Sequence, residues 1–233
     1  PIQGERILMD FGGSRSTESP DANGNHWNSW HTDTGTAIHA GQSLGSLVTT
    51  EARETSVDLI ITGEFDVSNS GLRSPSIEML GDLAIETATR DQFAPGSVAS
   101  SRGIPNASFM LTGLDPAIDY DLRFFASSRS SRERIARYSV VGAGDSVTQD
   151  LLLSDTEMGQ NMDRTLDFFG IQPDEFGQLF IDLQPVDGQH HGNVAIMELS
   201  VADVPEPSSA MLAMMGLFGL MCGRKGCRRA RCP

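Results

Sequence analysis

The sequence predicts an all-β protein: a jelly roll or β-sandwich of about 8–11 antiparallel strands, followed by a C-terminal hydrophobic helix. Three observations predict it. Short apolar stretches alternate with polar residues at period 2, the pattern of half-buried strands. The 24 glycines and 11 prolines punctuate those stretches. Long 3.6-residue periodicity is scarce, and no internal repeat of roughly 20–50 residues marks a solenoid or propeller.

Taken in chain order, residues 6–11 open the body as a strand, ending in Asp10-Phe11-Gly12-Gly13. Residues 56–62 (SVDLIIT) and 108–112 are the next candidates. In residues 120–126 (YDLRFFA), Tyr120, Leu122 and Phe124 share one face. Residues 137–141 and 147–152 follow. In residues 179–183, Leu179, Ile181 and Leu183 face one way and Phe180 and Asp182 the other. Residues 194–201 close the series. Residues 41–51 and 158–169 fit either a short helix or a strand. Leu111, Leu114 and Pro116 precede Tyr120 with the spacing of a tyrosine corner. There the hydroxyl bonds back to the backbone where the chain crosses between sheets.

Charge divides the chain of 233 residues unequally. Of 17 basic residues, five lie in the last ten positions, and all 31 acidic residues lie before them. Lys225 is the sole lysine. So acidic a body repels nucleic acid and anionic membrane surfaces, and no nucleic-acid partner is expected. All three cysteines (Cys222, Cys227, Cys232) lie in the tail, so no disulfide framework supports the body.

The tail has three parts: Pro205-Glu206-Pro207, an uncharged Leu/Met-rich run over residues 210–222, and a basic cluster from Arg224. In that order and position they resemble the PEP-CTERM sorting signal of Gram-negative bacteria. The resemblance implies recognition by an exosortase, cleavage near Pro205-Glu206-Pro207, and delivery to the envelope or extracellular matrix. Basic residues after an apolar span favour keeping that end in the cytoplasm, with the body outside. The strictly apolar run gives only about 20 Å of helix, short of a bilayer core of about 30 Å. The expected organisation is therefore a β-sandwich domain over residues 1–203 and a sorting signal over 204–233, transiently anchored in the cytoplasmic membrane. The first residue is Pro1, so a signal peptide upstream is not visible.

The unusual chemistry of the body lies near its start. Residues 14–33 form a long polar stretch containing both tryptophans, Trp27 and Trp30, with His26, His31, Asn25 and Asn28. Sugar rings stack on tryptophan faces, and histidine and amide groups bond their hydroxyls. His26, Trp27, Asn28 and Trp30 are thus candidate ligand-binding residues; the alternative is that Trp27 caps the core. Arg129, Arg132, Arg134 and Arg137 form a basic island, with Arg129 a candidate for gripping an acidic group and internal ion pairing the competing reading. The D-F-G-G at the end of the first strand, the W-N at Trp27, the run from Gly113 through Tyr120 to Arg129, and Pro173-Asp174 with Gly177 together resemble a galactose-binding-like jelly-roll domain. The resemblance implies a β-sandwich and glycan binding.

Asp21, Asn23 and Asn25 alternate as calcium-loop oxygens do. The glycine falls at the fourth place and Thr32 at the twelfth, which fits an Asx-rich turn better. No cofactor is called for, with structural calcium as the alternative. The H-E-x-x-H and phosphate-loop patterns are lacking, and His190-His191 point to opposite sides of an extended chain, so no catalytic residue is assigned. The reading is an exported, non-catalytic envelope or matrix protein that binds polysaccharide. The alternatives are a structural or adhesive surface protein, and a glycan-active hydrolase or lyase.

Overall fold

Alternating burial runs through the longer strands. In residues 107–112, Ala107, Phe109 and Leu111 are buried and their neighbours half-buried; Leu179, Ile181 and Leu183 repeat the pattern. The computed structural model describes residues 4–13, 16–32, 36–95, 107–157, 159–186 and 192–202. Within them the strands are β1 (Arg6–Asp10), β2 (Trp27–Ser29), β3 (Ala37–Ile38), β4 (Ser43–Leu44), β5 (Asp58–Ile61), β6 (Phe65–Ser68), β7 (Gln92–Pro95) and β8 (Ala107–Thr112). They continue as β9 (Tyr120–Phe125), β10 (Arg134–Val141), β11 (Val147–Asp155), β12 (Gly159–Gln160), β13 (Leu166–Ile171), β14 (Leu179–Pro185) and β15 (Ile196–Val201). Between β6 and β7 lie α1 (Ile77–Leu80), a 3-10 turn (Gly81–Leu83) and α2 (Glu86–Arg90). The chain divides into two units, residues 1–202 and 203–233.

The first unit is an all-β sandwich. One sheet has the order β13-β9-β15-β1-β2, a second the order β12-β11-β10-β14-β8-β5-β4, and a small third the order β3-β6-β7. The inward residues of the two large sheets form one core. Ile7, Leu122, Phe124, Phe168 and Leu199 come from the five-stranded sheet, and Leu59, Phe109, Tyr138, Leu153 and Ile181 from the seven-stranded one. Aromatic rings fill its centre: Phe124 lies 5.0 Å from Tyr138 and 5.9 Å from Phe168.

The tyrosine corner is present. The chain leaves the seven-stranded sheet at β8 and enters the five-stranded sheet at β9, where the Tyr120 hydroxyl accepts the Asp115 N–H at 3.1 Å. Gly113 turns the chain with φ of 79°, and a side chain there would fall on the Ser56 carbonyl. Pro173-Asp174 with Gly177 builds the facing turn: Asp174 Oδ1 accepts the N–H groups of Phe176 and Gln178, each at 2.9 Å.

The structure corrects the sequence reading in three respects. Fifteen strands are present among the described residues, more than expected, because β2, β3, β4 and β12 are too short to show an alternation. The pairing is not wholly antiparallel, since β1 and β2 run parallel. The helical insertion between β6 and β7 was not foreseen; helices of four and five residues span too little sequence for a 3.6-residue pattern. Residues 41–51 and 158–169, left open between helix and strand, supply β4, β12 and the start of β13.

That insertion gives the fold its third layer. Leu72, Leu80, Leu83 and Ala88 pack on the outer face of the five-stranded sheet, against Leu8, Trp27, Phe125 and Ile196. This second core covers one end of the face and leaves the other open. Among the described residues no helix is long and apolar enough to cross a membrane. The C-terminal helix and Pro205-Glu206-Pro207 lie outside the described residues, as does His190-His191.

Candidate functional site

On the outer face of the five-stranded sheet, alternation presents Arg6 and Leu8 from β1, Glu198 and Ser200 from β15, Asp121 and Arg123 from β9, and Asp167 from β13. Register sets them in rows. Leu8, Glu198, Arg123 and Asp167 stand opposite one another across four strands, with Arg6, Ser200 and Asp121 in the adjoining row. Leu8 lies under the helical layer; the charged residues lie just past its edge.

The charges interlock. Arg123 Nε donates to Asp167 Oδ1 at 2.6 Å, and Arg123 Nη1 lies 3.7 Å from Glu198 Oε2. Arg6 Nη1 donates to Glu198 Oε1 at 3.4 Å, and Arg6 Nη2 pairs with Asp82 of the 3-10 turn. Burial works against both guanidinium cations, but hydrogen bonding and ion pairing with these carboxylates outweigh it and raise both pKa values. Glu198 is only 7% exposed, and its Oε2 has no hydrogen-bond partner among the described residues.

A bulge completes the site. The register of β13 against β9 shifts between Phe168 and Ile171, and Gly170 takes φ of 63°. Asp121 Oδ1 fixes the bulge by accepting the Gly170 N–H at 2.8 Å. Bulges re-aim side chains, and here Phe169 stands 70% exposed. The result is a shallow cleft with about 300 Å³ of open space, floored by Leu122, Glu198 and Ser200 and walled by Asp121, Arg123, Asp167 and Phe169. An exposed aromatic ring beside fixed donors and acceptors can take a hydroxyl-rich ligand with one apolar face. A larger recess of about 490 Å³ lies between α1 and the β11–β12 hairpin, with Met79, Leu152 and Met162 among its walls. Its Asn161 side chain is committed to the backbone of Ala126 and Arg164. The smaller cleft concentrates the ionised groups and is the better candidate.

The residues singled out in the sequence lie outside this cleft. Trp27 is 4% exposed, and its indole N–H donates to Asp21 Oδ2 at 2.8 Å, so it offers no stacking face to solvent. Asp21 Oδ1 accepts the N–H groups of Asn23 and Asn25, which makes this segment an Asx turn locked onto Trp27. Asn28 is buried as a bridge between loop and sheet, donating to the carbonyls of Leu8 and Val48 and accepting the Val48 N–H. Trp30 is half-buried, edge-on to Phe93 at 6.0 Å. His26 is half-buried with Nδ1 3.3 Å from Ser19 Oγ. Arg129 is exposed and donates to the Asn69 carbonyl at 2.9 Å. Within the island, Arg137 forms a two-pronged pair with Asp150 at 2.7 and 2.8 Å. Among the described residues no group of three or more Asp, Glu, His or Cys side chains converges as a metal site.

The cleft residues were not picked out in the sequence, since they come from positions 121 to 200 and share no local motif. One signal was available: Arg123 and Glu198 are charged residues in the middle of apolar strands, where an ionised group needs a partner across the sheet.

A buried polar knot lies at the far end of β1. Asp10 accepts the Thr17 N–H at 3.0 Å and the Ser29 hydroxyl at 3.4 Å. Burial pushes its pKa up to about 7; the bonds from Thr17 and Ser29 pull it down, and the nearby Asp91 charge adds to the rise.

Fold and cleft define the class: an all-β sandwich with an open, charge-lined site on one sheet. The comparisons with known proteins add the rest. Residues 203–229 match the model of the PEP-CTERM protein-sorting motif, which marks the chain for export and sorting to the bacterial cell envelope and implies exosortase-mediated processing. The sequence has no match among curated proteins. Similar solved structures include the ANXUR1 extracellular domain from Arabidopsis thaliana, at 12% identity and TM-score 0.40, covering 73% of this chain and 54% of that one. This chain thus spans about half the length of that structure. An exo-β-1,3-galactanase from Phanerochaete chrysosporium in complex with galactose is similar at 14% identity and TM-score 0.30, covering 72% of this chain and 30% of that one. TmCBM61 in complex with β-1,4-galactotriose is similar at 12% identity and TM-score 0.28, covering 58% of this chain and 96% of that one.

Proposed function

We propose that this protein is an envelope or matrix component of a Gram-negative-type bacterium whose non-catalytic β-sandwich binds polysaccharide. The apolar span of its tail holds it transiently in the cytoplasmic membrane until an exosortase-type enzyme processes the sorting motif. The observation that carries the binding reading is the cleft, where exposed Phe169 stands beside the fixed group of Arg123, Asp167 and Glu198. Phe169 supplies a stacking surface, and the charged groups are held in place before any ligand arrives, which lowers the cost of binding. Arginine engages Asp167 and Glu198, and a backbone N–H engages Asp121, an arrangement suited to holding hydroxyls rather than delivering a proton.

A glycan-array screen of the full-length protein in mild detergent, with Phe169→Ala and Trp30→Ala variants, tests this reading. Binding lost in Phe169→Ala and kept in Trp30→Ala locates the site in the cleft. The reverse result returns it to the N-terminal loop, with His26 and Trp30 as the residues to pursue, and Arg129 as a separate position to test. Absence of binding to neutral, acidic and amino glycans alike leaves the structural or adhesive surface protein as the account. Release of reducing ends from any bound glycan would overturn the non-catalytic reading.

A further inference from the structure

The arginines of the body differ in their partners. Arg6, Arg53, Arg90, Arg123 and Arg137 each take a carboxylate. Arg129, Arg132 and Arg134 take none among the described residues, although the chain has 31 acidic residues to 17 basic ones. All three lie on the turn between β9 and β10. That turn is held by its backbone. The Arg129 N–H donates to the Ser70 carbonyl at 2.9 Å, the Arg132 N–H to Ser130 Oγ at 3.1 Å, and Ser154 Oγ donates to the Arg132 carbonyl at 2.8 Å. The guanidinium groups are left with donors to spare. Arg134 is half-buried and spends Nη1 on Ser128 Oγ at 2.8 Å; solvent reaches its other nitrogens. Arg129 spends Nη2 on the Asn69 carbonyl, and the exposed Arg132 side chain has no partner among the described residues. Glu133 is exposed and pairs with none of them. Burial, with the nearby Arg132 charge adding to it, holds Arg134 below its usual pKa, and no carboxylate offsets the two. Two like charges on an anchored turn, each with free donors, fit an oxyanion, which a guanidinium fork grips through two parallel bonds.

Resting on the glycan-binding reading, we infer that the turn at Arg129, Arg132 and Arg134 is a second binding site, separate from the cleft, for the sulfate or carboxylate groups of an acidic polysaccharide. Residues 127–134 (SSRSSRER) contain no apolar or aromatic side chain, so the turn lacks the buried anchor of a protein interface and the stacking surface of a nucleic-acid one. The acidic body opposes an anionic membrane. Salt at about 0.15 M screens that repulsion beyond about 8 Å and leaves the contact at the turn in place.

The test is calorimetry with the full-length protein in mild detergent at pH 7 and about 0.15 M salt. Three tetramers are compared: galactose, sulfated galactose and galacturonate. At least one anionic tetramer is expected to bind about tenfold or more tightly than the neutral one, and the tighter of the two names the group. Arg132→Gln and Arg134→Gln each reduce that preference, whereas Arg53→Gln, an exposed position that changes net charge equally, keeps it. If Arg134→Gln melts early, Arg132→Gln carries the test, since its side chain is exposed. Equal binding of all three tetramers overturns the second site and leaves glycan binding standing. A preference lost in Phe169→Ala and kept in Arg132→Gln and Arg134→Gln also overturns it, by placing the anion in the cleft. A preference lost equally in Arg53→Gln overturns it too, by showing attraction to net charge alone. Binding of no tetramer overturns the second site, and together with a blank array it overturns both readings.

Discussion

Asp10 shows how one side chain can set the response of the whole body to pH. Its pKa is about 7 in the fold against an ordinary 3.8, so the folded chain holds more protons than the unfolded chain between those values. Stability from this group is therefore present at acidic pH and is lost as pH rises through about 7. Replacing Asp10 with Asn keeps an acceptor for Thr17 and Ser29 and removes the charge. Asp10→Asn is expected to be more stable than the parent at pH 8, by on the order of a few kcal/mol and with a higher melting temperature, and to converge with it near pH 4. A parent protein whose melting temperature climbs steadily from pH 5 to pH 8 would count against this account of Asp10. At the same scale, Tyr120→Phe deletes only the bond to the Asp115 N–H, and denaturant unfolding should show a loss of about 1 kcal/mol. Trp27→Phe strips Asp21 Oδ2 of its buried indole donor, and a loss of about 1–3 kcal/mol is expected by the same measurement.

Among the elements, the longer strands were legible in the sequence, because period-2 alternation such as that of residues 120–126 and 179–183 survives into the burial pattern. The tyrosine corner was legible too, since its residues are close in sequence. The helical layer was not, because its segments are too short for any periodic signal and its burial depends on a sheet face assembled from β1, β9 and β15. The same cause hid the cleft, whose members meet only through strand register. Trp27 was visible as unusual, but its role turned on Asp21 six residues earlier, a partner that spacing alone does not single out. The corner also depends on Gly113, whose conformation and closeness to Ser56 leave no room for a side chain. Gly113→Ala should destabilise the fold by more than about 1 kcal/mol, measured as a lower denaturant midpoint with an unchanged slope.

For the molecule as a whole, β15 decides the outcome. It lies in the interior of the five-stranded sheet, paired with β1 on one side and β9 on the other. A chain ending after Ala202 retains every described strand and should unfold cooperatively, while one ending before Ile196 should show no cooperative transition by calorimetry. The consequence reaches into biosynthesis. A sheet that needs β15 between β1 and β9 cannot be completed while that strand is still being made, so the body packs only when residue 201 is free. The sorting motif begins at residue 203, directly after that strand. A chain terminated before β15 is complete thus lacks the sorting motif and the closing strand together.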